Sequence, residues 1–109
     1  MSLFAVTRAA GPGWADGQGA FGQPEVVDHT AFMNSLAHEG FALLAGPVAG
    51  SEQDRIRVLM IVESASETES YRRLAEDPWE HSQQLVTSSV GPRNLFHGAD
   101  RVVALPAIQ

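Results

Sequence analysis

The segment of residues 55–63 most constrains the fold, because its apolar residues alternate and fall on both sides of a strand. Met60 and Val62 share one face with the apolar residues before them. Leu59 and Ile61 share the opposite face. A strand that is apolar on both sides is typical of the centre of a sheet whose two faces are covered. The segment therefore predicts a central strand with material packed on each side.

Three further segments, residues 3–8, 41–45 and 85–90, have the composition of strands, and the last is expected to resume past Pro92 to residue 96. Two helical segments separate them in the order βαββαβ. This order is the ferredoxin-like split βαβ motif, an α+β fold with a four-stranded antiparallel sheet and two helices on one face. The other face then needs a cover, and a second copy of the chain is the expected one.

The first helix is predicted from Pro24, which suits the first helical position, to Gly40, which suits the left-handed residue after a helix. At 100° per residue, His29 falls between Met33 and Leu36, near the middle of the apolar face. A histidine in this position is a candidate base. The alternative is a core histidine that binds a backbone carbonyl or lies at the subunit interface.

The second helix is predicted to start at the capping box Ser-Glu-Thr-Glu of residues 66–69. Glu69 and Arg73 are expected to pair across one turn. Pro78 ends this helix or opens a separate short turn. Asp77 would then stand at the carboxyl end of the helix, where the macrodipole disfavours a carboxylate and a nearby imidazolium would compensate. The alternative is an ordinary turn.

Glycines are concentrated in residues 11–22, which predicts a flexible loop. Residues 17–22 have the spacing GxGxxG, but no strand directly precedes them, so they do not indicate a dinucleotide site. Arg8 ends the first strand beside this loop, where its guanidinium could bind an anionic group through two hydrogen bonds. The alternative is a solvated strand end.

The composition limits the available chemistry. All seven basic residues are arginines, and the chain has no lysine and no cysteine, which excludes Schiff-base and thiol chemistry. Its serines lie in no nucleophile-elbow pattern. The formal charge of -6 and the absence of a basic run argue against a nucleic-acid partner.

The spacing of the four histidines does not indicate a metal site, and no apolar run approaches the ~20 residues that span a membrane. The first residues do not have the pattern of a secretory signal, so a cytoplasmic location is expected. One domain is expected over residues 1–96, followed by a tail, residues 97–109, that could join a dimer interface.

Several short segments resemble the YCII-related (YciI-like) family. They are VTR (6–8), GPGW (11–14), HTAFM (29–33), EGF (39–41), LLAGP (43–47) and LAEDPW (74–79). The resemblance implies a dimeric α/β barrel, in which two sheets pack face to face across a two-fold axis. It also implies that His29 and Asp77 match a histidine and an aspartate that pair in a pocket of that family. One branch of the family resembles a dehydrochlorinase that acts on chlorinated hydroxyquinols.

Together these observations predict a cofactor-free lyase or isomerase that acts on a small aromatic or anionic molecule. His29 would be the general base, and Asp77 would hold its tautomer. Arg8 would orient the substrate, Trp14 would close the loop over it, and Trp79 would line the site.

Near the end of the predicted domain, Gly91-Pro92-Arg93 replaces the family's Glu-Pro-aromatic pattern. The difference leaves the substrate preference open and makes Arg93 a candidate source of positive charge at the site. Two other functions stay open on the same fold: a non-catalytic homodimer that binds a small ligand, and a barrel monooxygenase or haem-binding protein.

Overall fold

A computed structural model describes residues 2–92 of the chain. Within this range, strands and helices follow one another as β1 (Ser2–Ala10), α1 (Val26–His38), β2 (Ala42–Pro47), β3 (Arg57–Ser64), α2 (Glu67–Leu74), α3 (Pro78–His81) and β4 (Leu85–Pro92). The strands form one antiparallel sheet in the order β2-β3-β1-β4. This arrangement confirms the predicted α+β, ferredoxin-like fold.

The predicted central strand is confirmed as β3, which pairs with β1 on one side and β2 on the other. Met60 and Val62 are buried beneath the helices, at 1% and 0% exposure. The opposite face is open in the single chain, and Leu59 on it is 55% exposed. The expectation that both faces are covered is therefore met on the helical side alone.

The first helix begins two residues later than Pro24. Glu25 precedes it with φ of 64°, a left-handed conformation that is uncommon for a residue with a side chain. The other end is as predicted: Gly40 has φ of 85°, and Phe41 N–H donates to the Leu36 carbonyl. Glycine adopts this backbone without steric cost, which explains its place after the helix.

The second helix starts as the capping box predicts, since the Ser66 hydroxyl accepts a hydrogen bond from Glu69 N–H. The predicted Glu69–Arg73 pair is wrong. Glu69 binds Arg72, whereas Arg73 binds Glu39 at 2.9 Å and lies over the ring of Phe41. The tertiary contact with the end of α1 therefore outweighs the local pairing.

The core has two parts. The larger one is mostly aliphatic and lies under α1 and α2; its buried members are Phe4, Val6, Leu36, Phe41, Ala42, Met60, Val62, Leu74 and Val90. The second is smaller and aromatic, with Trp14, Ala20, Ile56, Trp79 and Leu85. It lies where β1 leads into the glycine-rich loop.

The glycine-rich loop is not the unanchored segment that its composition predicts. Gly13 N–H donates to the Gln83 carbonyl at 2.8 Å, and Gln23 donates to and accepts from the backbone of Ala15. A Cβ on Gly13 would stand 2.1 Å from the Ser82 carbonyl oxygen, so glycine is required there for close approach of the two backbones. The GxGxxG segment ends in a short 3₁₀ turn, Ala20–Gly22, before α1 begins.

Several predictions fall on residues 93–109, outside the described residues. These are the resumption of β4 to residue 96, the role of Arg93, and the tail of residues 97–109 with the domain boundary before it. In the described part of the chain, no helix is long and apolar enough to cross a membrane.

Candidate functional site

Arg8 lies on the helical face of β1 and is 1% exposed. A β-bulge interrupts the pairing of β1 with β4, so that Thr7 faces Ser89 but Arg8 faces Thr87. Bulges re-aim side chains next to functional sites. Here the bulge brings Thr87 beside Arg8 under α3.

Asp77 is the N-cap of α3, and this corrects the prediction that it ends the second helix. Helix α2 stops at Leu74, and Pro78 opens the separate short helix. The Asp77 carboxylate accepts a hydrogen bond from Trp79 N–H at 2.9 Å. A carboxylate at the start of a helix is stabilised by the backbone N–H groups, so the macrodipole favours Asp77 rather than opposing it.

Burial pushes the pKa of Asp77 upward, because its side chain is fully removed from solvent. The hydrogen bond from His29, the positive charge of Arg8 and the N–H of Trp79 act in the opposite direction. These contacts prevail and hold the pKa of Asp77 below its ordinary value. The carboxylate is therefore charged at neutral pH despite its burial.

His29 projects from α1 toward this carboxylate. Its Nδ1 lies 2.9 Å from Asp77 Oδ1 and 2.8 Å from Oδ2. The imidazole stacks on the Trp79 indole, with 3.8 Å between centroids and 8° between planes. Its side chain is 15% exposed, and Nε2 makes no hydrogen bond within residues 2–92. The ring is thus fixed on one side and open on the other.

The two tryptophans are structural supports of the imidazole. Trp79 is 1% exposed, and its Nε1 donates to the Pro24 carbonyl at 2.9 Å, just before α1. Trp14 packs edge-on against Trp79 and donates to the Asp54 carbonyl. Trp14 is 4% exposed, so its indole belongs to the core, a position that does not favour the expected closure over a substrate.

The contacts of Arg8 do not favour the expectation that it binds an anionic substrate. Its Nη2 donates to Asp77 at 2.9 Å and to Glu80 at 3.0 Å, so its positive charge is paired with carboxylates of the chain itself. Its Nη1 lies 3.6 Å from the Met33 sulfur. Its Nε is buried and has no hydrogen-bond partner among the described residues. Arg8 therefore organises the interior of the site.

Glu80 and Thr87 belong to the same cluster and were not predicted. Glu80 accepts from Arg8 and from the Thr87 hydroxyl, and its side chain is 17% exposed. One sequence signal was available: Glu80 follows Asp77 by three residues, the spacing of a capping box. The sequence does not indicate Thr87, because its position beside Glu80 depends on the bulge in β4.

Within the described residues, the cluster around Arg8 and Asp77 is not a metal site, and two surface cavities lie elsewhere. In residues 2–92, no three or more His, Asp or Glu side chains are grouped to hold a metal ion. One surface cavity of about 350 Å³ follows β2 and β3 on the open face of the sheet. Another, of about 230 Å³, lies between the end of α1 and the start of α2. Neither is lined by His29 or Asp77.

Comparison with known proteins identifies the fold. The chain is similar to 5-chloro-2-hydroxyhydroquinone dehydrochlorinase from Burkholderia phenoliruptrix, solved in complex with 2,5-dihydroxybenzoquinone. The match covers 90% of this chain and 97% of that one, with a TM-score of 0.60 and 19% identity. This chain shares the ferredoxin-like α+β fold of that structure. At this level of identity, the similarity extends to the fold alone.

An uncharacterized protein from Thermotoga maritima is also similar, over 85% of this chain and 98% of that one, with a TM-score of 0.49 and 9% identity. No family model and no curated protein sequence matches the chain. The resemblance to the YCII-related proteins therefore stays an interpretation of the sequence.

Proposed function

We propose that the chain is a small cofactor-free enzyme of the lyase or isomerase type, with His29 as its general base. The observation that carries this proposal is the contact of 2.8 Å between His29 Nδ1 and the buried carboxylate of Asp77. A histidine oriented in this way, with its second nitrogen open, is a common arrangement for proton transfer.

In this proposal Asp77 accepts a hydrogen bond from Nδ1–H and so leaves the lone pair on Nε2. Nε2 then takes a proton from the substrate, and the resulting imidazolium is stabilised by the adjacent carboxylate. Stacking on Trp79 keeps the ring in the plane that this contact requires. Arg8 acts through Asp77 and is a positioning residue.

The proposed reaction is an elimination or a proton shift. The base removes a proton from carbon or oxygen of a small aromatic or enolic molecule, and the released electron pair forms a double bond. In an elimination the leaving group departs with its bonding electrons, whereas in a proton shift the imidazolium returns the proton to another atom of the same molecule. The fold neighbour is named as a dehydrochlorinase, so loss of chloride from chlorinated hydroxyquinols is the first reaction to assay. An anionic substrate is no longer favoured, because Arg8 already pairs with two carboxylates.

The test is a turnover screen over chlorinated aromatics, lactones and enols. We expect His29→Ala to lower kcat/KM by about 100-fold or more on any compound that the wild type converts. His38→Ala is the matched control, because His38 is exposed on the same helix. Undiminished turnover in His29→Ala would contradict the assignment of the base.

A non-catalytic ligand-binding protein is the second candidate. It is favoured by one observation: His29 and Asp77 line neither of the two cavities described above. This function predicts that compounds in the screen bind and are released unchanged.

We also propose that the chain is a homodimer, in which a second copy covers the open face of the sheet. Leu44, Leu59 and Val86 are 48%, 55% and 38% exposed on the chain. Such an apolar surface is usually an interface. Light scattering at micromolar concentration should give the mass of two chains, and Leu59→Glu should reduce it toward one. A wild-type monomer would contradict the proposal.

A further inference from the structure

The charges around His29 do not balance. The guanidinium of Arg8 carries one positive charge, and its Nη2 is shared between Asp77 at 2.9 Å and Glu80 at 3.0 Å. With the imidazole neutral, the guanidinium and the two carboxylates together carry one net negative charge. No other arginine of the described chain contacts either carboxylate.

The excess negative charge lies on the solvent side of the cluster. The Asp77 side chain is 0% exposed, whereas that of Glu80 is 17% exposed. Two donors hold Glu80 in place, Arg8 from β1 and the Thr87 hydroxyl from β4. Its charge is therefore a fixed feature of the edge of the site rather than that of a mobile surface carboxylate.

We propose that Glu80 determines the charge selectivity of the site, admitting neutral molecules to His29 and excluding anionic ones of the same shape. The substrate would then enter with its acidic hydrogen still attached, as a neutral phenol, enol or carbonyl compound. This inference rests on the proposed function in that His29 is the reacting group. Charges in a partly buried site are screened less than those on an open surface, so one fixed carboxylate affects an incoming anion.

A pair of alkylating reagents tests the selectivity without knowledge of the substrate. Iodoacetamide is neutral and iodoacetate is an anion of nearly the same size. In both reactions the Nε2 lone pair attacks the methylene carbon, a nitrogen–carbon bond forms, and iodide leaves with the electrons of the carbon–iodine bond. The ring becomes cationic until Nδ1 loses its proton. The chain has no cysteine and no lysine to consume the reagents.

The measurement is the ratio of the iodoacetamide and iodoacetate rates at each histidine, located by mass spectrometry of peptides. His38 is the internal reference, because it is exposed on the same helix and experiences the same overall charge. We expect the ratio at His29 to exceed that at His38 by about three- to tenfold. Raising the salt from about 0.05 M to about 0.5 M should reduce this excess.

Glu80→Gln keeps the shape and removes the charge, and we expect it to bring the ratio at His29 to that at His38. Glu76→Gln is the matched control: it removes one negative charge from the same segment at a side chain that is 60% exposed, and should leave the ratio unchanged. If Glu80→Gln does not fold, the salt dependence of the wild type decides the question.

Equal ratios at His29 and His38 in the wild type, or a ratio that Glu80→Gln does not change, would overturn the inference. So would failure of both reagents to alkylate His29 under conditions that alkylate His38. These outcomes differ from failure of the proposed function. Selective alkylation without turnover of any compound would support the inference and contradict the proposed enzyme function. Turnover without selectivity would support the enzyme function and overturn the inference.

Discussion

Arginine–carboxylate pairs occur in two regions of this molecule with opposite surroundings. On β1 and α3, Arg8 binds Asp77 with both side chains at 0% exposure. On α2, Arg72 binds Glu69 with the two side chains at 61% and 33% exposure. The chemistry of the contacts is the same. The comparison shows that burial, rather than the number of ion pairs, decides what a charged contact does to a protein.

In the exposed region, water solvates the charges before and after folding, so the pair contributes little. In the buried region, each charge has lost its water and depends on its partners, so removing one partner leaves the others uncompensated. A buried ion pair is often no more stable than apolar side chains of the same volume. Its presence beside an open imidazole is more typical of a functional site, where charged groups are arranged to control protonation.

The largest expected effect comes from removing the shared partner. Arg8→Met should lower the free energy of unfolding by about 4 kcal/mol, because it leaves Asp77 and Glu80 without their common cation. Urea denaturation followed by circular dichroism measures the change. The matched control is Arg72→Met on the exposed face, which should leave the midpoint of unfolding unchanged. Equal losses of stability in Arg8→Met and Arg72→Met would contradict the conclusion that burial decides the contribution of an ion pair.

A smaller effect is expected for Asp77→Asn, about 2 kcal/mol near neutral pH, since the amide oxygen can still accept from Trp79 N–H. The pKa of Asp77 is lowered in the folded protein, so its charge contributes stability fully above its unfolded pKa of about 3.9 and progressively less as pH falls. Between about pH 5 and pH 3, the wild type should lose stability more steeply than the variant. Parallel curves would contradict the lowered pKa.

Among the three variants expected to lose stability, Arg73→Ala should lose the least, because the exposure of Arg73 lies between those of Arg8 and Arg72. The Arg73 side chain is 25% exposed, binds Glu39 at 2.9 Å and stands 5.0 Å over the ring of Phe41. Arg73→Ala should cost about 0.5–1 kcal/mol, mostly through lost packing on the ring. Thermal unfolding at low and high salt separates the two contributions, since the ion pair weakens with salt and the packing does not. A loss as large as that of Arg8→Met would show that exposure is not the deciding factor.

Local patterns accounted for the elements and several of their ends. The alternation around Met60 predicts β3 at the centre of the sheet, Ser66 predicts the start of α2, and Gly40 predicts the residue after α1. Each depends on forces within a few residues of chain, namely side-chain periodicity, capping and backbone sterics. These forces can be evaluated from the sequence alone.

Two residues of the candidate site could be singled out from the sequence, and their roles stay predictions. His29 interrupts the apolar face of α1, and Asp77 is a carboxylate beside Pro78 that matches a pattern of the resembled family. The surroundings of Asp77 and Trp14 differ from those expected. Asp77 caps a separate short helix instead of ending α2, and Trp14 lies in the core because the glycine-rich loop is anchored to residues before β4.

The sequence by itself determined the order of strands and helices along the chain and the α+β class. It also determined the side chains available for chemistry, namely histidine, carboxylate and arginine. Only the tertiary structure decided how these side chains share charge. Arg8 meets Asp77 and Glu80 across 69 and 72 residues of chain, and a bulge places Thr87 beside them. Such contacts depend on strand register and helix placement, which result from packing of the whole domain and leave no periodic signal in the sequence.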